Sequence, residues 1–156
     1  MINIITRSEK ETRDLGRSLW KENKKFLGKK AVVFALEGEL GTGKTHLVKG
    51  LAKAMGIVND VISPTFTIEA EYDQGKLVHI DAWRLEDPKE LLEIGFEKRI
   101  ENKDVMAIEW ADQVKDVIER FSDKARVVWI RLEYGKNDDD ERIISIDSRL
   151  RENDER

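Results

Sequence analysis

A lysine and a threonine close a glycine-rich stretch, Gly38-Glu39-Leu40-Gly41-Thr42-Gly43-Lys44-Thr45, with the spacing G-x-x-x-x-G-K-[ST]. Glycines let the backbone curl so that successive N–H groups point inward at phosphate oxygens. At this spacing Lys44 reaches β- and γ-phosphates, and the Thr45 hydroxyl is a ligand for magnesium. A magnesium–phosphate site also needs an acid, normally one that ends a neighbouring apolar strand. Two segments offer it, Leu77-Val78-His79-Ile80-Asp81 and Val105-Met106-Ala107-Ile108-Glu109. Either Asp81 or Glu109 can hold the metal, directly or through water, while the other orients an attacking water. Alone, each would be an ordinary strand-terminal acid; the loop is what gives them chemistry. Ser63-Pro64-Thr65-Phe66-Thr67 follows the loop's helix, and its hydroxyls suit either a γ-phosphate sensor or a plain turn.

Such a loop works only between a strand and a helix, because the helix N-terminus adds the positive end of its dipole. The flanks supply both. Ala31 to Leu36 is a continuous apolar run, as in a strand buried on both faces. Leu47, Leu51 and Met55, with Val48 and Ala52, have helical spacing, and Gly56 suits the C′ stop. Ser8-Glu9-Lys10-Glu11 has the form of a capping box and opens a first helix, with Leu15, Leu19 and Trp20 on one face and an end near Leu27-Gly28. Residues 65–72 and 77–81 read as strand–turn–strand. Asp87-Pro88-Lys89-Glu90 starts a helix that stops at Gly95. A strand over 105–108, a helix over 112–121 and strands over 126–132 and 142–146 complete the series. Strands alternating with helices predict an α/β fold, a largely parallel central sheet flanked by helices with some antiparallel strands. One domain is expected over 1–148, followed by a frayed polar tail over 149–156.

Composition removes other chemistries. The 156 residues contain no cysteine and two histidines, which excludes disulfides, thiol nucleophiles and multi-histidine metal sites. Charged residues make up 38%, yet the net charge is −4, so the basic face of a nucleic-acid binder is not expected. Neither a signal-peptide core nor a membrane-length apolar run is present, which fits a cytoplasmic protein. Asn102-Lys103-Asp104 lacks the spacer of a guanine-reading N-K-x-D. Arg84 and Arg99 are isolated, so the arginine-rich lid of a small-molecule kinase is not evident, although such a kinase is the alternative reading.

Taken together, the capping box with Thr12, the glycine-rich loop, Ser63-Pro64-Thr65-Phe66-Thr67, His79-Ile80-Asp81-Ala82-Trp83-Arg84-Leu85 and Ile108-Glu109-Trp110 are similar to those of the bacterial TsaE (YjeE) family. The resemblance runs from residue 8 to about 146. It implies a P-loop NTPase fold and an ATPase, with ATP and Mg²⁺ as cofactors, needed for threonylcarbamoyladenosine formation at position 37 of tRNA. It further implies that the protein acts on the TsaB–TsaD heterodimer to support its turnover and meets tRNA only through that complex. By resemblance, Gly38 and Gly41 to Thr45 wrap the phosphates, Lys44 binds β/γ oxygens, Thr45 and Glu109 hold magnesium, and Asp81 supports the metal or its waters. Thr12 approaches the nucleotide, and Arg142 matches an arginine before the last strand. Trp110 lines the site or the core. His46 stands where a second threonine is common, within reach of the α-phosphate if it does not simply face solvent. Trp83 replaces the usual tyrosine, and the local chemistry of His79 suggests a hydrogen-bonded strand residue, not a metal ligand.

Overall fold

A computed structural model gives the fold and describes residues 1–147; the tail expected over 149–156 lies outside the described residues. Among the described residues, seven strands form one sheet in the order β1-β7-β6-β2-β5-β4-β3. They are β1 (Ile2–Thr6), β2 (Ala31–Glu37), β3 (Glu69–Tyr72), β4 (Leu77–Asp81), β5 (Val105–Glu109), β6 (Ala125–Tyr134) and β7 (Arg142–Asp147). The centre β6-β2-β5-β4 is parallel, and the margins β1-β7-β6 and β3-β4 are antiparallel. β2, the apolar run, is wholly buried from Ala31 to Leu36, because helices cover both faces of a parallel sheet.

Helices α1 (Glu9–Asn23) and α2 (Lys44–Ala54) cover one face with Leu19, Trp20, Leu47, Val48 and Leu51. Helices α3 (Glu90–Glu93), α4 (Phe96–Glu101) and α5 (Lys115–Arg120) cover the other, where Leu91, Phe96, Ile100, Val117 and Ile118 are buried. The caps expected at Ser8 and Gly56 form. Ser8 Oγ accepts from Glu11 N at 3.0 Å, and Met55 hands the chain to Gly56 at φ +84°. What brings α1 against α2 is a pair of glycines that periodicity does not reveal. A Cβ on Gly50 would stand 2.7 Å from the carbonyl carbon of Arg13, and one on Gly16 would strike the backbone of Leu47.

Local readings are revised in four places, one being the helix expected over 112–121, which begins as a 3-10 turn over Ala111–Val114 and is α-helical over Lys115–Arg120. The N-terminal residues form edge strand β1, paired with β7, a strand that the sequence reading did not assign. Residues 65–68 are turn, not strand: Ile68 has φ +68° and donates its N–H to Pro64 O at 2.7 Å. The helix expected from Asp87 shrinks to one turn. Asp87 Oδ1 accepts from Lys89 N at 2.9 Å, and Gly95, at φ +98°, reverses the chain into α4, which sequence did not announce.

Candidate functional site

Parallel strands deliver their C-termini to one edge, where α/β proteins build their sites. Here β2 ends at the glycine-rich loop, β5 at Glu109 and β4 at Asp81, and the register pairs Asp81 with Glu109 across adjacent strands. Alternation along a strand puts residues two apart on one face, so Leu77, His79 and Asp81 share a face, as do Val105, Ala107 and Glu109. That is the α2 side of the sheet.

The loop curls through Gly38, Gly41 and Gly43, all at positive φ, and Gly43 is the left-handed cap from which α2 departs. Thr42 is buried and its Oγ1 donates to Glu39 O at 2.8 Å. Lys44 lies almost entirely inside. Its Nζ donates to Gly38 O at 2.6 Å and Glu39 O at 2.9 Å, and stands 4.2 Å from the centroid of the Trp110 ring. Burial pushes this ammonium below its ordinary pKa, opposed by the charges of Glu109, Asp81 and Asp112. A cation held on neutral carbonyls and an aromatic face lacks a direct ion pair, which phosphate oxygens would supply.

Thr45 Oγ1 lies 3.1 and 3.3 Å from the Glu109 carboxylate oxygens. Asp81 is engaged elsewhere. Its Oδ2 accepts from Ser63 Oγ at 3.0 Å and Thr65 Oγ1 at 3.2 Å, and its Oδ1 accepts from Trp83 N at 2.9 Å. Among the described residues no group of three or more His, Cys, Asp or Glu could hold a metal alone. The Thr45 hydroxyl and the carboxylates of Glu109 and Asp81 are oxygen donors that would fit magnesium, which takes one or two carboxylates together with phosphate oxygens and waters. Trp110 follows Glu109 at φ +57°, a conformation costly for a bulky residue and found where a site fixes it. It packs against Trp83 with ring centroids 4.3 Å apart. These groups line an open cleft of about 430 Å³ that includes Gly41, Gly43, Lys44, Thr45, Asp81 and Glu109.

The other sequence candidates gather beside the loop. Thr12, His46, Gly41 to Gly43 and Arg142 line a smaller cavity of about 70 Å³. Thr12 Oγ1 is hydrogen-bonded to Thr6 Oγ1 at 2.9 Å, and His46 lies between Arg13 and Glu9 at 3.2 and 3.4 Å. Arg142 grips the loop from behind, donating to Thr42 O at 3.2 Å and Gly41 O at 3.4 Å. Tyr134, which sequence reasoning missed, donates its hydroxyl to Leu40 O and lies under the Arg142 guanidinium. Only the β6–β7 hairpin brings that pair to the loop.

A parallel sheet whose glycine-rich loop joins a buried strand to a helix, with acids ending the next two strands, defines the P-loop NTPase fold. The model of the family "Threonylcarbamoyl adenosine biosynthesis protein TsaE" matches residues 6–144, and the chain belongs to that family. It is 38% identical over 107 residues to the tRNA threonylcarbamoyladenosine biosynthesis protein TsaE of Bacillus subtilis, covering 62% of this chain and 66% of the relative. Against the protein of the same description from Aquifex aeolicus it is 39% identical over 116 residues, 72% of this chain and 78% of that one. The match to the Nostoc protein spans 54% of the relative's length, so the chain covers between about half and two thirds of the first curated relatives it matches. A crystal structure of Bacillus subtilis YdiB superposes with a TM-score of 0.67 at 27% identity, over 93% of this chain and 83% of that one.

Proposed function

We propose that the chain binds and hydrolyses ATP with magnesium as the accessory ATPase of tRNA threonylcarbamoyladenosine formation, acting on a TsaB–TsaD heterodimer. One observation carries the reading. Lys44 and Thr45 open α2 directly opposite Glu109 and Asp81, so a phosphate cradle and two acids face one cleft. The relatives' descriptions place them in tRNA threonylcarbamoyladenosine biosynthesis.

In this reading Lys44 leaves the carbonyls of Gly38 and Glu39 for the β/γ oxygens. Thr45 and Glu109 hold magnesium, which supplies charge neutralisation at the phosphates. Asp81, anchored by Ser63 and Thr65, orients water for in-line attack, and positioning with electrostatics supplies most of the rate. Among the described residues lining the cleft there is no arginine, so the free protein is slow and a partner completes the site. Leu40, Ile62, Phe66 and Trp83 are large, apolar and exposed around it, which suits a protein partner. The net charge of −4 fits contact with tRNA only through that complex. Among the described residues no helix is long and apolar enough to cross a membrane, in keeping with a cytoplasmic site of action.

The test is ATP hydrolysis by the purified chain, alone and with a TsaB–TsaD heterodimer, with Lys44→Ala as control. Stimulation by the heterodimer that disappears in the variant is expected. Stimulation by a hydroxylated metabolite instead would turn the reading to a small-molecule kinase.

A further inference from the structure

His79 is absorbed by neither the fold nor the phosphate chemistry. It sits in the middle of β4, its side chain wholly buried, among Leu77, Val78 and Ile80. Its Nε2 lies 2.6 Å from Glu109 Oε2, and Glu109 is itself 3% exposed. A carboxylate oxygen only accepts, so Nε2 carries the hydrogen and donates it. The partner across the register is Ala107, whose small side chain leaves the ring its path to the end of β5.

The other ring nitrogen identifies the purpose. Among the described residues, His79 Nδ1 is the one buried side-chain polar atom without a hydrogen-bond partner. Leaving a buried polar group unpaired is costly, and an apolar residue like its neighbours on β4 would avoid that cost. Packing alone does not explain a histidine here. The bond made by Nε2 does. It engages Oε2 of the Glu109 carboxylate, whose two oxygens Oε2 and Oε1 lie 3.1 and 3.3 Å from Thr45 Oγ1.

We infer that His79 is the positioning residue of the magnesium ligand Glu109: it presets the carboxylate toward Thr45 without itself reaching metal or nucleotide. The inference rests on the magnesium–ATP reading above. Outer partners of this kind change metal affinity by about 10- to 100-fold when removed.

Two amide variants separate this role from packing. In His79→Gln the amide nitrogen falls near the position of Nε2 and can donate to Glu109; in His79→Asn it falls near Nδ1 and cannot. Binding of a non-hydrolysable ATP analogue is measured by calorimetry, first in EDTA and then against rising Mg²⁺, with thermal unfolding in EDTA as the check on folding. The wild type is expected to bind more tightly as Mg²⁺ rises. Relative to it, His79→Gln should keep its half-saturating Mg²⁺ within about threefold, and His79→Asn should raise it about 10- to 100-fold. Metal-free binding should be the same in all three. If His79→Asn does not fold, His79→Phe, which restores volume without the donor, takes its place with the same expectation. Equal Mg²⁺ dependence in the donating and non-donating variants overturns the positioning role, as does an equal loss of metal-free binding in both. A wild type indifferent to Mg²⁺ overturns the magnesium reading itself, whatever the histidine variants do.

Discussion

The two acids at the sheet edge have unlike surroundings, and their variants should behave differently. Glu109 shares hydrogen bonds with Thr45 and His79, whereas both oxygens of Asp81 are committed to Ser63, Thr65 and the Trp83 backbone. Glu109→Gln is therefore expected to raise the Mg²⁺ needed for half-maximal hydrolysis, and to lower the rate about 100-fold or more, in the range for losing one preorganised electrostatic group. Asp81→Asn should lower the rate with little change in Mg²⁺ requirement, because it disturbs the 63–65 segment. Steady-state hydrolysis against Mg²⁺ checks both, and equal shifts in Mg²⁺ requirement would contradict the division. Behind the loop, Arg142→Ala removes the donors to Gly41 O and Thr42 O. It should weaken nucleotide binding by about tenfold, the equivalent of roughly 1.4 kcal/mol, as calorimetry would show.

Between elements, the closest fit is α1 on α2. Gly50→Ala would press a methyl group into the Arg13 backbone, 2.7 Å from a carbonyl carbon that cannot swing aside as a flexible side chain would. The substitution improves intrinsic helix propensity by about 1 kcal/mol, so a net loss appears only where the packing cost exceeds that gain. Overpacking of this kind costs typically about 1–3 kcal/mol, and a net loss of stability in denaturant unfolding is expected. A gain would mean that the helices part easily. The β3 hairpin is tied to α4 by Arg99, which bonds Glu69 at 2.6 Å, Asp104 at 3.3 Å and also Glu71; these acids hold its guanidinium above its ordinary pKa against the opposing effect of burial. The pairs are partly exposed. Arg99→Ala is accordingly expected to cost no more than about 1 kcal/mol, read as faster amide exchange confined to residues 69–72.

For the whole molecule, ligand binding and stability are linked. A ligand that binds only the folded chain stabilises it by about 2.7 kcal/mol at 100 times its Kd. In a domain of this size each kcal/mol moves Tm by roughly 2–4 °C. Saturating ATP analogue with Mg²⁺ should then raise Tm by about 5–10 °C, with no shift in Lys44→Ala. Scanning fluorimetry checks this without a partner, so the nucleotide reading can be tested apart from the TsaB–TsaD reading.

Much of this molecule was legible in its sequence, because some signals are local. The phosphate loop is contiguous, and its glycines, lysine and threonine act within eight residues, Gly38 to Thr45. Buried parallel strands announce themselves as apolar runs, and capping residues such as Ser8 act within one helical turn. Asp81 and Glu109 stood out because each ends such a run. Other features depend on which strands become neighbours, and no short-range pattern encodes that. The pairing of β1 with β7, the seating of Gly16 against Gly50, the grip of Tyr134 and Arg142 on the loop and the bond from His79 to Glu109 all join residues distant in the chain. In those contacts the chemistry is set by approach distance and strand register, which exist only once the sheet has closed its order.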